Sequence, residues 1–421
     1  MPDQPPIMKS GAGRLRWKGL LLFLAVAGPG IITSNVDNDA GGIATYSMAG
    51  AHFGYSLIWS LLPIMVVLII IQELSARMGV VTGKGLSDLI RERFGVRITV
   101  YLLLALVLTN FGNVIAEFAG VASSLEIFHI HKWISVPLAA VLVWLLVVKG
   151  TYRSVEKIFL YACVFYVTYI VAGFLARPDW SAVGQSLAAP SFEMSSESLG
   201  MIVGLVGTTI APWMQFYLQA SVVEKNIALK DYRHSRMDVI VGSFVVTIVA
   251  GFIILTCAAT LFKAGIRVET AADAAQALAP LAGKYCSALF AFGLLNASLF
   301  AASILPLSTA FVVCEGMGWE TGVNKKFSEA PQFYGLYSVL IFLGAAVILI
   351  PGIPLFPVMY FSQVINGLVL PVILIFMLLL VKDKKMMGDY TSKRGYNIVS
   401  WATVGLLVAL SGVYLASLLG L

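Results

Sequence analysis

Charged residues are scarce in this sequence, whereas hydrophobic residues dominate it. Of the 421 residues, 12% are charged and 59% are hydrophobic, and the mean hydropathy is +0.89. A soluble globular domain carries about 25% charged residues, so this composition excludes one. Cysteine is rare as well: Cys163, Cys257, Cys286 and Cys314 are scattered, and their spacing matches no metal or redox motif.

Long apolar stretches take the place of the missing charges. About eleven of them approach the ~20 residues that a helix needs to cross a bilayer. They predict an all-α integral membrane protein, because the strands of a membrane barrel would alternate in polarity instead. The predicted spans are 18–52, 54–78, 97–128, 134–150, 156–176, 197–224, 237–262, 285–313, 332–351, 355–381 and 396–420.

The distribution of Lys and Arg predicts the topology. With a cytoplasmic N-terminus, the 28 basic residues all lie on the cytoplasmic side except Lys132, Arg177, Lys263, Arg267 and Lys284. The positive-inside rule therefore predicts a cytoplasmic N-terminus and an extracellular C-terminus in the plasma (inner) membrane. The net charge of +6 follows from this topology and does not indicate nucleic-acid binding.

The first predicted span contains polar residues at membrane depth. Asp37 and Asp39 interrupt the apolar segment, and Gly41 and Gly42 follow at once. Intramembrane carboxylates are costly and normally face a cavity or a pathway, and glycine allows the backbone to leave helical geometry. Such backbone is tolerated at this depth where it is buried in protein or lines a wet site. We therefore predict a broken helix with an ion or substrate site at the break.

The sixth predicted span contains a second interruption. Pro212 removes a backbone donor, and it lies among Thr208, Ala211, Trp213 and Gln215. A proline kink would explain this feature alone, but two breaks five spans apart indicate inverted repeats with a binding site at the midplane. The predicted units are a cytoplasmic tail (1–17), two five-helix repeats (18–176 and 197–381) and an additional span (396–420).

Further polar side chains lie within the third and tenth spans. Glu117 is a functional candidate because intramembrane acids usually are, although pairing with a neighbouring helix would also explain it. Gln363 and Asn366 lie one helical turn apart, so their amides either face one cavity or hydrogen-bond between helices. Both uses remain open from the sequence.

Two chemistries are disfavoured by the positions of the titratable residues. An intramembrane aspartyl protease needs carboxylates from two helices, and no second intramembrane Asp motif accompanies Asp37 and Asp39, so we do not expect an enzyme. An intramembrane histidine relay is not expected either, since every histidine falls at a predicted span end or in a loop: His52, His129, His131 and His234.

Several motifs resemble those of the Nramp family of divalent metal transporters over nearly the whole chain. They are GPG (28–30), QELSARMGVVTGKGLSDL (72–89), AEFAG (116–120), YRSVEK (152–157), LFAFGLLNAS (289–298), SQV (362–364) and MG (387–388). The resemblance implies a LeuT-type fold, with broken helices 1 and 6 and an eleventh helix. It also implies transport of a divalent metal by alternating access.

The sequence departs from the family pattern where the metal would bind. The family motif Asp-Pro-Gly-Asn reads Asp39-Ala40-Gly41-Gly42, which keeps the carboxylate and loses the amide ligand. The motif Met-Pro-His reads Ala211-Pro212-Trp213, which lacks the thioether and the histidine associated with proton transfer. Glu117 matches a family acid, but the companion aspartate position aligns with Val114. The pattern resembles the Nramp-related magnesium transporter branch.

Loss of the thioether predicts a change of substrate. A soft sulfur ligand favours softer transition metals over Mg²⁺, whereas a roomy oxygen-lined site suits partly hydrated Mg²⁺, with Mn²⁺ as a second substrate. The predicted metal site has Asp39 as its main ligand, with oxygens and space supplied from Val36, Asp37, Gly42, Thr208, Ala211, Gln215 and Gln363. Glu117 and Trp213 are predicted to line the pathway.

The mechanism predicted from these residues is transport without proton coupling, by a monomer in the lipid bilayer, with no cofactor beyond the transported ion. A proton-coupled Mn²⁺/Fe²⁺ transporter is one alternative. A symporter of a small organic substrate is another, because helix ends freed at breaks also bind carboxylates. A channel is a further alternative, which turnover and saturation would distinguish.

Overall fold

The computed structural model describes residues 33, 36–149, 166–190, 194–323 and 325–420. Within these residues the chain forms helices, turns and short connections, and no β-strand. Helices are expected, because the backbone of a lipid-exposed segment must pair its polar groups internally. The helices are α1 Ala40–Phe53, α2 Leu61–Thr82, α3 Leu86–Phe94, α4 Val96–Glu126, α5 Lys132–Val148, α6 Val167–Leu175, α7 Trp180–Ala188, α8 Ser196–Thr209, α9 Pro212–Glu224, α10 Tyr232–Cys257, α11 Ala271–Ala275, α12 Ala279–Ala282, α13 Cys286–Met317, α14 Pro331–Leu349, α15 Leu355–Val381, α16 Lys384–Met387 and α17 Arg394–Leu418.

The helices coincide with the predicted spans to within a few residues. In the described part of the chain, eight helical segments are long and apolar enough to cross a membrane, and α5 is a shorter apolar helix. The prediction of an all-α integral membrane protein is therefore confirmed. The predicted tail 1–17, most of the first half of span one and the segment 150–165 lie outside the described residues.

Both predicted helix breaks are present. In the first span, Val36 is helical, Asp37 and Asn38 form a turn, and α1 begins only at Ala40. In the sixth span, α8 ends at Thr209 and α9 begins at Pro212. The sixth span is thus two half-helices joined by non-helical backbone, and in the first span non-helical backbone at 37–39 directly precedes α1.

Small residues bring the helices around the two breaks into close contact. A Cβ atom built on Gly120 of α4 would lie only 2.5 Å from the Cβ atom of Ala40 at the start of α1. A Cβ atom on Gly207 of α8 would lie 1.9 Å from the carbonyl oxygen of Gln363 in α15. Such contacts are typical of membrane helices, which gain stability from close packing. They hold α4 and α15 directly against the broken spans.

The eleventh span, α17, packs at the periphery: Tyr414 contacts Leu199 and Val203 of α8 and Val364 of α15, and a polar cluster joins the start of α17 to α2. Of the most apolar 18 residues of α17, 28% are buried inside the protein, whereas all of the most apolar 18 residues of the segment 196–224 are buried. The Tyr396 hydroxyl donates to the buried carboxylate of Glu73 in α2 at 2.8 Å, and Arg77 donates to the same oxygen at 3.1 Å. Tyr232 of α10 donates to the other carboxylate oxygen. Three helices therefore meet at Glu73.

Candidate functional site

The break in the first span ends on Asp39, which caps helix α1. Its backbone is extended (φ −70°, ψ −172°), and its Oδ1 accepts a hydrogen bond from the Gly42 N–H at 2.7 Å. Asp is a favoured capping residue because its side chain satisfies a free N–H of the first turn, and its charge complements the positive end of the helix dipole. The predicted main ligand is therefore held rigidly at the break.

Oxygen atoms from both breaks converge on Gly42. A Cβ atom built on this glycine would lie 2.5 Å from the carbonyl oxygen of Asp37, 3.1 Å from Thr208 Oγ1 and 3.4 Å from Asp39 Oδ1. Thr208 belongs to the last turn of α8, so the two broken spans contribute to one place. The hydroxyl of Thr208 is buried and has no hydrogen-bond partner in the described part of the chain. The absence of a side chain at Gly42 leaves room for this cluster of oxygens.

The break in the sixth span is fixed by its own sequence. Ile210 ends α8 with non-helical backbone (φ −130°, ψ 59°), and Ala211 is extended (φ −66°, ψ 143°) before Pro212 starts α9. Proline suits the first position of a helix because its missing N–H would have no partner there. A hydrogen bond of 2.9 Å between the hydroxyls of Thr209 and Tyr46 joins this break to α1.

Glu117 lies in direct contact with the predicted ligand. Its Oε2 accepts the N–H of Ala40 at 3.3 Å, and its carboxyl group lies near that of Asp39, close enough for the two to interact electrostatically. Its Oε1 is buried without a partner in the described residues. Glu117 was predicted to line the pathway, and the structure places it at the first break itself.

Gln363 approaches the first break from α15. A Cβ atom built on Gly41 would lie 1.9 Å from Gln363 Nε2, so the amide rests on the first turn of α1. Its Oε1 accepts from Asn366 Nδ2 at 2.9 Å. Asn366 and Asn113 of α4 exchange two hydrogen bonds of 3.0 Å each. Asn366 therefore bonds between helices, which is one of the two uses left open by the sequence, and Gln363 lies against the first break.

The remaining predicted residues are buried around the breaks. The side-chain oxygens of Asp37 and both polar atoms of the Gln215 amide have no partner among the described residues. Trp213 is buried, and its carbonyl oxygen accepts from Ser308 at 3.5 Å. Val36 is buried directly before the first break. Unpartnered buried polar groups are rare in folded proteins and commonly mark a place for water or an ion.

Asn113 and Asn38 are polar residues of this region that were not among the predicted site residues. Asn113 lies one helical turn before Glu117, which is the spacing that places two side chains on one face of a helix, and this signal was available. Asn38 lies within the turn of the first break; its amide is buried without a partner in the described chain, and its carbonyl oxygen accepts from Tyr166 at 3.0 Å.

The donor set of the site consists of oxygen and amide groups. Among the described residues, no group of three or more His, Cys, Asp and Glu side chains is arranged to hold a metal ion. The two adjacent carboxyl groups of Asp39 and Glu117 are instead accompanied by neutral donors: the carbonyl of Asp37, the hydroxyl of Thr208 and the amide of Gln363. Such a set suits a hard cation that retains part of its water.

Comparisons with known proteins agree with this architecture. Relatives include the divalent metal cation transporters MntH of Deinococcus radiodurans, 28% identical over 100% of this chain and 96% of the relative, and of Bacillus subtilis, 27% identical over 97% and 96%. The solved manganese transporter of Eremococcus coleocola superposes with a TM-score of 0.77 at 21% identity, covering 97% of this chain and 88% of that one.

More distant structures share the fold. MHP1, a nucleobase-cation-symport-1 family transporter, superposes with a TM-score of 0.60 at 15% identity, covering 93% of this chain and 91% of that one. These likenesses confirm the LeuT-type fold. The sequence profile described as "Natural resistance-associated macrophage protein-like" matches residues 30–417. Because that match covers nearly the whole chain, the protein belongs to the Nramp family.

Proposed function

We propose that this protein carries divalent metal ions across the plasma membrane by alternating access, with Mg²⁺ as its main substrate and Mn²⁺ as a second one. Asp39 binds the ion or its water shell, and the ion moves without a coupled proton. The protein acts as a monomer with a cytoplasmic N-terminus and an extracellular C-terminus, and needs no cofactor. Membership of the Nramp family and the divalent metal cation transporters among its relatives support the general class.

The observation that carries the proposal is the convergence of oxygens on Gly42. The carbonyl of Asp37, the hydroxyl of Thr208 and the carboxylate of Asp39 surround one glycine, and they come from both broken spans. Alternating access in LeuT-type proteins proceeds around a site at such breaks. A cation bound by both spans would hold them in one arrangement, so its binding and release are linked to their movement.

The preference for Mg²⁺ is supported by the small side chain of Ala211, directly before Pro212. Ala211 presents a methyl group there, and a methyl group gives no advantage to a soft metal. Mg²⁺ is usually bound through one or two carboxylates and keeps several waters. The site offers the same kind of ligands: the carboxylate of Asp39, with Glu117 beside it and neutral oxygens around them.

A proton-coupled Mn²⁺/Fe²⁺ transporter is the second candidate, and one observation favours it. The carboxyl groups of Asp39 and Glu117 are both buried and lie near each other, and a proton on one of them would relieve the repulsion between two like charges. A metal ion at Asp39 would compete with that proton. In the uncoupled mechanism the proton stays on Glu117 while Asp39 takes the metal, whereas in the coupled mechanism it crosses the membrane.

An organic substrate is disfavoured by the start of α1. In symporters of this fold, the free N–H groups of a half-helix bind the carboxylate of the substrate. Here the N–H of Gly42 donates to Asp39 and that of Ala40 donates to Glu117. The helix end is therefore occupied by two acidic side chains, which would repel a carboxylate.

Uptake of Mg²⁺ and Mn²⁺ into proteoliposomes, with a pH-sensitive dye inside, tests the proposal. Asp39→Asn keeps the capping hydrogen bond and removes the charge, so we expect saturable uptake to fall to background. Asp179→Asn is the matched control, because Asp179 also caps a helix, α7, but at an exposed position. Proton entry in step with the metal would establish the coupled alternative, and undiminished uptake by Asp39→Asn would overturn the site.

A further inference from the structure

Three buried amide side chains form a continuous chain from α4 to the first break. Asn113 and Asn366 exchange two hydrogen bonds of 3.0 Å. The Nδ2 atom of Asn366 also donates to Gln363 Oε1 at 2.9 Å, and Gln363 Nε2 lies against Gly41. All three side chains are buried to within 1% of full burial. Asn366 contacts Gln363 directly, and Asn113 contacts Asn366.

In this arrangement the nitrogen of the Gln363 amide, rather than its oxygen, faces the first break. Its oxygen accepts from Asn366, and its nitrogen faces the first turn of α1 and donates to the Ser362 hydroxyl at 3.2 Å. A metal ion requires an oxygen from this residue, as an amide nitrogen with two hydrogens offers no lone pair in the direction of the ion. Gln363 must therefore rotate its amide before it binds a cation directly.

The amide chain permits that rotation only as a unit. If Gln363 alone turned, its nitrogen would face Nδ2 of Asn366, and two donors would meet. If Asn366 and Asn113 turn as well, the three bonds between the amides form again with donor and acceptor exchanged, because the Asn113–Asn366 pair is a symmetric exchange of two bonds. The Ser362 hydroxyl, which now donates to the Met359 carbonyl, would then donate to Gln363 instead. The three amides thus have two arrangements in which all the bonds between them form, and Gln363 offers nitrogen in one and oxygen in the other.

We propose that Asn113 and Asn366 are positioning residues for the transported ion. They hold Gln363 with its nitrogen toward the break when the site is empty and with its oxygen toward the break when a divalent cation is bound. This inference rests on the proposed function, since it concerns how the same site presents a neutral oxygen. It assigns a role to two residues that do not touch the ion.

A double-mutant cycle tests the link between Asn366 and Gln363. We expect Gln363→Leu and Asn366→Leu each to raise the KM for Mg²⁺ by about tenfold, as the loss of one buried polar contact predicts. The double variant should raise it no further, because both changes remove the same oriented oxygen. Asn110→Leu is the matched control: Asn110 is a buried asparagine of α4 that donates to Thr309 at 2.8 Å and leaves the chain intact.

A second variant covers the case in which Asn366→Leu does not fold. Asn366→Asp accepts hydrogen bonds at both oxygens, so Gln363 must turn its nitrogen toward Asp and its oxygen toward the break. We expect the KM for Mg²⁺ to fall several-fold in this variant and to stay within twofold in Asn110→Asp, which adds the same charge on α4.

Additive effects of the leucine variants, or an unchanged KM in Asn366→Asp, would overturn the role of the chain. Failure of the proposed function is distinguished by the loss of Mg²⁺ and Mn²⁺ uptake in the unaltered protein.

Discussion

Gly42 shows how a single missing side chain makes room for a binding site. Asp39 supplies charge, but the space in which an ion meets both broken spans exists because position 42 has no Cβ atom. The nearest atom to such a Cβ would be the backbone carbonyl of Asp37, at 2.5 Å. The backbone of a buried turn moves less readily than the end of a flexible side chain, so we expect position 42 to tolerate a side chain poorly.

We therefore predict that Gly42→Ala lowers Mg²⁺ uptake at low ion concentration by at least about tenfold, since one displaced oxygen contact of ~1.4 kcal/mol corresponds to that factor. Initial rates of uptake in proteoliposomes measure the effect. Gly112→Ala on α4 is the control, because nothing lies within 4 Å of a Cβ atom there. Equal activity of both variants would show that the oxygens around Gly42 do not bind the ion.

The residue types at the site were predictable, whereas their contacts were not. Asp39 and Pro212 are unusual at membrane depth in any fold, and their cost alone singles them out. That Glu117 meets Asp39 depends on which face of α4 meets α1, and this is set by the close approach of Gly120 to Ala40. The pairing of Asn113 with Asn366 depends likewise on the packing of α4 against α15. Such register comes from tertiary packing, which one sequence does not encode in a readable local pattern.

At the scale of the helices, the two broken spans act as one binding element. Pro212 and the capping Asp39 end the regular helices at matching places, and Ala211 lies in extended backbone between α8 and α9. Both breaks were predictable, because proline and paired glycines are strong local signals. The chemical character of the element depends on position 211, where the side chain is a methyl group.

We predict that Ala211→Met shifts the selectivity of transport toward softer metals. A thioether binds transition metals better than Mg²⁺, so the ratio of the KM for Mg²⁺ to that for Mn²⁺ should rise by about tenfold, or ~1.4 kcal/mol. Competition between the two ions during uptake measures the ratio. Ile210→Met places the same thioether one residue earlier and is the control; an equal shift in both variants would contradict a specific ligand position.

At the scale of the whole molecule, the eleventh span is attached by apolar packing of Tyr414 against α8 and α15 and by the polar cluster at Glu73. Because the bilayer offers no hydrophobic drive between helices, the polar cluster adds directly to this attachment. Its existence and bounds were predictable from hydropathy. Its anchoring through Tyr396 was not, because the partner Glu73 lies 323 residues away in the chain.

We predict that Tyr396→Phe lowers the stability of the folded protein by about 1.5–3 kcal/mol, the range expected when a hydrogen bond to a charged group is lost. Tyr232 and Arg77 still donate to Glu73, so the carboxylate keeps partners and the effect stays moderate. Thermal unfolding in detergent measures it. Tyr101→Phe, at a position that is 74% exposed, is the control. A loss of uptake without a loss of stability would point to a role in transport instead.

Whether a proton moves with the ion determines which gradient drives transport. Without a coupled proton, a divalent cation responds to its own gradient and to the membrane potential, and at ~2.3 kcal/mol per charge per 100 mV it gains about 4.6 kcal/mol from an inside-negative potential of that size. At ~1.4 kcal/mol per factor of ten, this corresponds to an accumulation of roughly 2,000-fold.

We predict that proteoliposomes with an imposed inside-negative potential accumulate Mg²⁺ at equal pH on both sides, and that reversing the potential releases it. Glu117→Gln removes one titratable neighbour of Asp39, and it should leave this voltage dependence unchanged. Accumulation that instead follows a pH gradient, and disappears in Glu117→Gln, would assign the driving force to protons carried by these two carboxyl groups.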